Sequence, residues 1–235
     1  MTFINKTRAT FLAFVMAAIG ATNAHATTVN LADGTLAESA GAQTGVGIQQ
    51  ALGSEFNAAN GPMTFSGTLA RANGASLGGG AYNLGMTVGN VYFLVHPGFG
   101  GGAFRFDSVN LATSLVSPGS NGGNKGIGFT PDANDIDFEV VLTGVGSNYS
   151  FDVSINQTGV GSFMNTYSLA QSVFGAGGSI ASFGAFHNGA GSGFGAVDYS
   201  NFTASVAAVP LPAGLSLFLL ALGGLGVASR RRKVA

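Results

Sequence analysis

The sequence predicts an all-β protein, an antiparallel sandwich of two sheets, and three observations support this fold class. Apolar side chains alternate with polar ones in several short segments, which is the period of a half-buried strand. Glycine-rich stretches, drawn from 39 glycines in 235 residues, separate these segments as turns do. Only 8% of the residues are charged, which is unusual for a cytosolic enzyme and closer to an exported, turn-rich β protein.

The clearest strand pair lies in the middle of the chain. Its first strand alternates an apolar set with a largely polar set: Ile136, Phe138, Val140 and Leu142 against Asp135, Asp137, Glu139 and Val141. The sequence GVGSN at 144–148 then predicts a turn, and Phe151, Val153 and Ile155 predict the antiparallel partner of a hairpin. Further strands are expected at Val91–Val95, Ala103–Phe106, Ser179–Phe186 and Val197–Val206.

One short helix is expected at an end of the sandwich. Ile48, Leu52 and Phe56 recur every four residues, which is the spacing of one helix face.

The first 26 residues have the organisation of a signal peptide. Lys6 and Arg8 provide a positive start, Phe11–Ala21 is apolar, and Ala24–Ala26 has the small-x-small pattern that signal peptidase accepts. The apolar stretch is shorter than the roughly 20 residues that span a bilayer. We therefore expect cleavage before Thr27 and export of the body, residues 27–208.

The C-terminal residues 209–235 have the organisation of a membrane-anchored tail. Leu211–Ser229 provides 19 uncharged residues, enough at about 1.5 Å per residue to cross a hydrocarbon core of roughly 30 Å. Four basic residues follow and should remain cytoplasmic under the positive-inside rule: Arg230, Arg231, Arg232 and Lys233. Pro210 and Pro212 favour extended backbone where the predicted helix begins.

The motif before this helix is VPLPA: Val209, Pro210, Leu211, Pro212 and Ala213. Together with the apolar helix and the arginine cluster, it resembles the VPLPA variant of the PEP-CTERM sorting signal. The resemblance implies recognition by an exosortase, a membrane-embedded, Cys-dependent transpeptidase-like enzyme of Gram-negative bacteria with extracellular polysaccharide systems. It implies an inner-membrane precursor and a mature body at the cell surface or outside the cell, but it says nothing about what the body does.

The body is acidic. Arg71, Arg105 and Lys125 are its basic residues, against ten acidic ones, for a net charge of −7. This charge argues against nucleic acid as a partner, because phosphate binding depends on clustered cations.

The segment Tyr149–Val206 resembles the concanavalin-like or jelly-roll modules that are common in PEP-CTERM proteins. In these modules a glycine-rich stretch, here GAGSGFGAVDYSNFTAS at 189–205, leads into a final strand just before the sorting motif. The resemblance implies a sandwich fold, and a fold of this kind does not fix function.

The sequence DIDFE at 135–139 resembles the ExDxE strand motif of retaining glycosidases. The resemblance would make Asp135 the nucleophile, Asp137 a helper and Glu139 the general acid. Asp replaces Glu at the first position, and a strand separates positions i and i+4 by about 13 Å, whereas retaining pairs need roughly 5 to 5.5 Å. The chain also contains no Trp to stack on a sugar ring. The alternative to a catalytic motif is that these acidic residues form only the solvent-exposed face of an amphipathic strand.

Two further groups of residues are candidates for metal binding. PDANDID places Asp132, Asn134, Asp135 and Asp137 close together as oxygen ligands for calcium, or as a plain Asx-rich turn. His96 and His187 lack the neighbouring acids of a metal site, so we expect loop or partly buried histidines. No other cofactor is expected.

Two classes of function fit these features. The first is a non-catalytic surface or extracellular-matrix protein that contributes to the binding of carbohydrate such as exopolysaccharide, or to biofilm structure. The second is a secreted glycan-active hydrolase on a lectin-like sandwich. The sequence favours the first, because it offers neither a convincing acid pair nor sugar-stacking indoles.

Overall fold

The alternating apolar residues form the inner faces of strands in a computed structural model of the chain, which describes residues 26–38, 44–72, 81–96, 102–110, 115–116, 125–131, 135–190 and 195–208. The strands in these residues are β1 (Thr27–Asn30), β2 (Gly34–Leu36), β3 (Thr44–Ala51), β4 (Met63–Arg71), β5 (Ala81–Val88), β6 (Val91–His96), β7 (Ala103–Asn110), β8 (Leu115–Val116), β9 (Lys125–Gly126), β10 (Ile136–Val145), β11 (Asn148–Gln157), β12 (Gly161–Ala170), β13 (Ser182–Ala190) and β14 (Val197–Val206). Within the described residues, helical structure is limited to α1 (Gln171–Phe174) and two 3₁₀ turns at Ala58–Asn60 and Ala176–Gly178.

The described strands form two antiparallel sheets. The first sheet has the order β1-β14-β4-β10-β11-β12, and β2 also pairs with β14. The second sheet has the order β3-β13-β5-β6-β7-β8, and β9 also pairs with β7. The predicted all-β architecture of two antiparallel sheets is confirmed.

Aromatic side chains from the two sheets meet in one core. Phe151 of the first sheet makes edge-to-face contacts with Phe93 and Phe106 of the second, with ring centroids 5.5 and 5.4 Å apart. Phe65 and Phe183 make another contact between the sheets at 6.2 Å. Buried aromatic rings each remove roughly 150–250 Å² from water, so these contacts provide much of the stability of the sandwich.

The predicted hairpin is confirmed as β10 and β11. The pairing continues without a shift from Asp137 opposite Asn156 to Val145 opposite Asn148. Gly146 begins the two-residue turn with φ = 60°, a left-handed conformation that glycine adopts without steric cost.

The other predicted strands are found with different bounds. Residues 91–95 lie in β6, residues 103–106 lie in β7, and β14 has the predicted bounds. The strand predicted from Ser179 begins at Ser182, because Ser179 forms an isolated bridge with Asn57 instead.

The predicted helix through Ile48, Leu52 and Phe56 is wrong. Ile48 lies in β3, and Leu52 and Phe56 follow it outside any helix. Glycine is a poor helix former. Gly45 in β3 instead permits this strand to pack closely against Phe186. A Cβ atom at Gly45 would lie 2.4 Å from the ring of Phe186 in β13.

A β-bulge interrupts β14. Asn201 and Phe202 together oppose the single residue Gly67, between the pairs Ser200–Thr68 and Thr203–Ser66. The extra residue changes which side chains face inward, so Val197 and Tyr199 are buried before the bulge and Phe202, Ala204 and Val206 after it.

The described residues from Ala26 to Ala207 form one compact unit. In the part of the chain that the structure describes, no helix has the length and apolar character needed to cross a membrane. The predicted signal peptide, apart from Ala26, and the predicted sorting tail at 209–235 lie outside the described residues and stay predictions.

Candidate functional site

The outer face of the first sheet carries an open depression of about 300 Å³. Strands β4, β10 and β11 and the bulge of β14 contribute its lining: Ser66, Gly67, Thr68, Asp137, Phe138, Glu139, Ser154, Asn156 and Asn201. Most of the side chains in this set are hydroxyls, amides or carboxylates. The depression therefore presents hydrogen-bonding groups to solvent.

Strand register explains why these residues lie together. Asp137 lies directly between Thr68 on β4 and Asn156 on β11. Glu139 lies in the same way between Ser66 and Ser154. Side chains directly opposite each other on one face have Cβ atoms about 4.5–5.5 Å apart, so the two rows form a continuous polar surface.

The carboxylates on this side of the sheet are held by threonines of neighbouring strands. Three hydroxyls donate to aspartates directly opposite them: Thr68 to Asp137 at 2.8 Å, Thr35 to Asp198 at 2.5 Å, and Thr166 to Asp152 at 2.5 Å. A hydrogen bond to an ionised acceptor is stronger than a neutral one, so these pairs fix the aspartate side chains.

Glu139 differs from these aspartates. Its side chain is exposed in the depression, and no hydrogen bond or ion pair with the described residues engages its carboxylate. The depression thus combines an oriented acceptor, Asp137, with one that is available to a ligand.

The bulge brings Asn201 to the edge of the depression. Asn201 has φ = 57°, and Asn adopts the left-handed region more readily than most residues. Its backbone N–H donates to the Asp33 carboxylate at 3.0 Å, which holds the bulge in place. We did not predict Asn201 from the sequence. The change of buried positions between Tyr199 and Phe202 is the signal that would have revealed the bulge.

The structure brings together two of the three acidic residues of the DIDFE motif. Asp137 and Glu139 line the depression, whereas Asp135 precedes β10 and is exposed outside the lining. Asp137 and Glu139 are two residues apart on one strand face, or about 6.6 Å along the strand. The catalytic roles that the resemblance implies for the three residues stay untested.

The predicted calcium ligands are only partly described. Asp132 and Asn134 lie outside the described residues, Asp135 is exposed, and the Asp137 carboxylate accepts from Thr68. Among the residues that the structure describes, no group of three or more His, Asp or Glu side chains is placed to hold a metal ion. The calcium site stays a prediction.

The two body histidines lie in strands and are buried, not in loops. His187 in β13 places Nε2 2.8 Å from the Ala37 carbonyl oxygen. Burial lowers the pKa of His187, and the hydrogen bond to Ala37 opposes this shift. Burial also lowers the pKa of His96 in β6, and the positive charge of Arg105 lowers it further. Neither histidine lines the depression.

Comparison with known proteins supports the fold and leaves the family open. No protein-family model matches the chain, and no curated protein sequence matches it. Solved structures do match, all at low sequence identity. A GH43 glycoside hydrolase whose active site was engineered to display both endo-xylanase and exo-arabinofuranosidase activity has a TM-score of 0.45 at 10% identity, over 77% of this chain but only 36% of its own length.

Two other similar structures cover most of both chains. Arcelin-5, a lectin-like defense protein from Phaseolus vulgaris, has a TM-score of 0.52 at 12% identity, over 78% of this chain and 90% of its own. A PL-14 alginate lyase from Aplysia kurodai has a TM-score of 0.49 at 13% identity, over 74% and 83%. At such identities the likeness to arcelin-5 shows the fold alone: the chain is similar to lectin-like sandwiches.

Proposed function

We propose that this chain is an exported, non-catalytic protein of the cell surface or extracellular matrix whose sandwich binds carbohydrate in the depression of the first sheet. The observation that carries the proposal is the polar lining of that depression, built from rows of directly opposite residues. Strands hold these side chains more precisely than loops would. A lectin-like fold agrees with this proposal without identifying a ligand.

A sugar chain has the chemistry that this lining would recognise. Each sugar hydroxyl both donates and accepts hydrogen bonds. The Asn156 and Asn201 amides offer both roles, the Ser154 hydroxyl does the same, and Glu139 accepts, whereas the Ser66 hydroxyl already pairs with the Thr203 hydroxyl at 2.9 Å. A polyhydroxylated ligand can therefore satisfy the lining without leaving its polar groups unpaired.

Charge narrows the class of carbohydrate. Asp137 and Glu139 are the charged residues of the lining, and the body as a whole carries −7. Like charges repel uronic-acid and sulfated polymers from this surface, whereas neutral and amino-sugar polymers meet no such barrier. We therefore expect a neutral or amino-sugar polysaccharide as the ligand.

Retention on immobilised polysaccharides tests this proposal. The full chain in detergent should be retained by dextran or chitosan and should pass through alginate at physiological salt. Chitosan retention should weaken as salt rises, because screening reduces attraction between opposite charges. Preferential retention on alginate, or passage through all three columns, would contradict the proposal.

The predicted sorting tail explains how the body would reach its ligand. We expect signal peptidase to release the N-terminus at Thr27, and an exosortase-type enzyme to process the inner-membrane precursor near Val209–Ala213. Replacing Pro210 and Pro212 with Ala should leave an unprocessed precursor, because Ala lets the helix continue outward. An immunoblot of fractionated cells measures this. A wild-type body that stays full-length in the inner membrane of cells with the exosortase argues against sorting.

A secreted glycan hydrolase is the second candidate, because Asp137 and Glu139 lie together in the depression. Glycosidases use two carboxyl groups, about 5 to 9.5 Å apart depending on mechanism. Release of reducing sugars by the wild-type chain, abolished by Glu139→Gln, would support this candidate. Binding without release supports the first.

A further inference from the structure

The edge strand β12 of the first sheet has unusual properties. Its sequence GSFMNTYSLA contains no charged residue and no proline. It pairs with β11 through ten consecutive residue pairs without a bulge, and no other described strand pairs with it. Met164 on this strand is 77% exposed, the largest exposure among the large hydrophobic side chains of the described residues.

Such an edge is a template for pairing with another strand. Natural proteins usually protect long edge strands with lysine, proline, bulges or a covering segment. The described part of β12 has none of the first three. A body with a net charge of −7 repels its own copies, but this strand places no charge at the edge where a second copy would approach.

We propose that β12 pairs with β12 of a second copy of this chain, antiparallel and about a two-fold axis at Thr166, so that the two first sheets become one continuous sheet. A two-fold axis perpendicular to the sheet keeps each face on its own side, so side chains of the same face lie opposite each other. The pairing of Phe163 with Leu169 on the inner face and of Thr166 with its own copy on the outer face selects the register.

In this register the strand is complementary to itself. Phe163 lies opposite Leu169 of the second copy, and Met164 lies opposite Ser168. Thr166 faces Thr166 of the second copy, a pair that stabilises antiparallel sheets. Each Thr166 hydroxyl already donates to Asp152 of its own chain, so the two hydroxyls do not bond to each other and the pair contributes through packing of its β-branched side chains. The two Asp152 carboxylates lie three strand spacings apart, about 14 Å, which exceeds the screening length of about 8 Å.

The dimer has a consequence for the depression, and this step rests on the proposed function. Both depressions would face the same side of the continuous sheet. Five strand spacings, about 24 Å, separate β10 from β10 of the second copy, and Glu139 lies in line with Met164, so the two sites are also offset by about 13 Å along the strands and lie about 27 Å apart. Two sites at this distance can engage one polysaccharide chain, which raises the avidity without any new contact. A dimer that binds no glycan would contradict the proposed function and leave the pairing intact.

Single cysteines test the pairing and its register, since the chain has no cysteine of its own. Thr166→Cys places two thiols in directly opposite positions, within the Cα separation of about 4.4–6.8 Å that a disulfide requires. Ser168→Cys is the matched control: it is also exposed on β12, but in this register the two copies of residue 168 lie about 13 Å apart along the strands.

The expected result, for the full chain in detergent under mild oxidation, is a disulfide-linked dimer as the main species for Thr166→Cys and monomer for Ser168→Cys. Equal cross-linking of the two variants, or cross-linking of neither, would overturn the proposal.

A charge variant provides a second measurement. Thr166→Lys places two like charges opposite each other and should halve the protein mass of the detergent-solubilised particle measured by light scattering. Thr143→Lys makes the same change at an exposed position of β10, inside the sheet, and should leave the mass unchanged. A wild-type chain that is monomeric at the highest concentration reached, or Thr166→Lys with an unchanged mass, would contradict the pairing.

Discussion

Gly67 of β4 lies opposite the β14 bulge that shapes the depression. Gly67→Ala should destabilise the protein. Gly67 points into the core, where Phe202 of the bulge covers it. A Cβ atom at Gly67 would lie 2.4 Å from Cδ2, 2.5 Å from Cε2 and 2.6 Å from Cγ of Phe202. These distances are far below van der Waals contact, so the ring or a strand must move.

The ring has little room to move. Phe202 is only 1% exposed, and the Tyr199 ring makes an edge-to-face contact with it at 6.1 Å. Overpacking a close-packed core costs about 1–3 kcal/mol. At about 2–4 °C per kcal/mol for a chain of this size, the melting temperature should fall by roughly 2–12 °C.

Thermal unfolding of the full chain in detergent, followed by circular dichroism, measures this effect. Gly126→Ala is the control, because nothing lies within 4 Å of the added Cβ atom and the melting temperature should hold or rise slightly. Gly67→Ala should cost less in a Phe202→Leu background, because the two residues touch. A Gly67→Ala variant as stable as Gly126→Ala, or equal costs in both backgrounds, would refute this account of the bulge.

Two further predictions concern buried titratable groups. Burial lowers the pKa of His187 below the unfolded value of 6.5, so the unfolded chain binds more protons than the folded one. Stability should therefore fall as the pH falls through 6.5 toward the folded pKa. The variant His187→Gln should flatten the dependence of stability on pH between about pH 7.5 and 5, and an unchanged slope counts against this prediction. The Tyr149 hydroxyl donates to the Gly178 carbonyl oxygen, and burial raises the pKa of Tyr149 to about 12. Tyr149→Phe leaves this buried acceptor unpaired and should lower the free energy of unfolding in urea by about 1–3 kcal/mol. A cost near zero would show that water replaces the hydroxyl.

The β10–β11 hairpin could be predicted because its signals are local. Each inward residue from Ile136 to Leu142 is apolar, each neighbour except Val141 is polar, and Gly146 provides the turn. Strand β12 was missed because its alternation is weak: at an edge, Phe163 and Tyr167 are only partly buried and the sequence needs no strict pattern.

The wrong helix shows the limit of spacing arguments. Ile48, Leu52 and Phe56 have helical spacing, but β3 is a strand whose Gly45 lies against Phe186, a residue far away in the sequence. Tertiary packing of this kind overrides local periodicity.

The depression could be predicted only in part. Asp137 and Glu139 were identified from one strand, but their neighbours Thr68 and Asn156 come from strands whose register no local pattern specifies. The position of Asn201 at the depression depends on a bulge, which in the sequence is indicated only by the shift of the buried positions of β14 between Tyr199 and Phe202.

The most direct test of the central claim is the affinity of two matched pairs of variants for a chitosan oligosaccharide and a dextran oligosaccharide, measured by calorimetry on the full chain in detergent. Ser154→Ala with Asn156→Ala alters the depression, whereas Ser150→Ala with Asn148→Ala makes the same changes on the same strand outside it. Two lost hydrogen bonds, at about 0.5–1.5 kcal/mol each, should weaken binding at least fivefold and typically about thirtyfold. The account predicts this loss for the first pair and wild-type affinity for the second; equal affinities of the two pairs would contradict it.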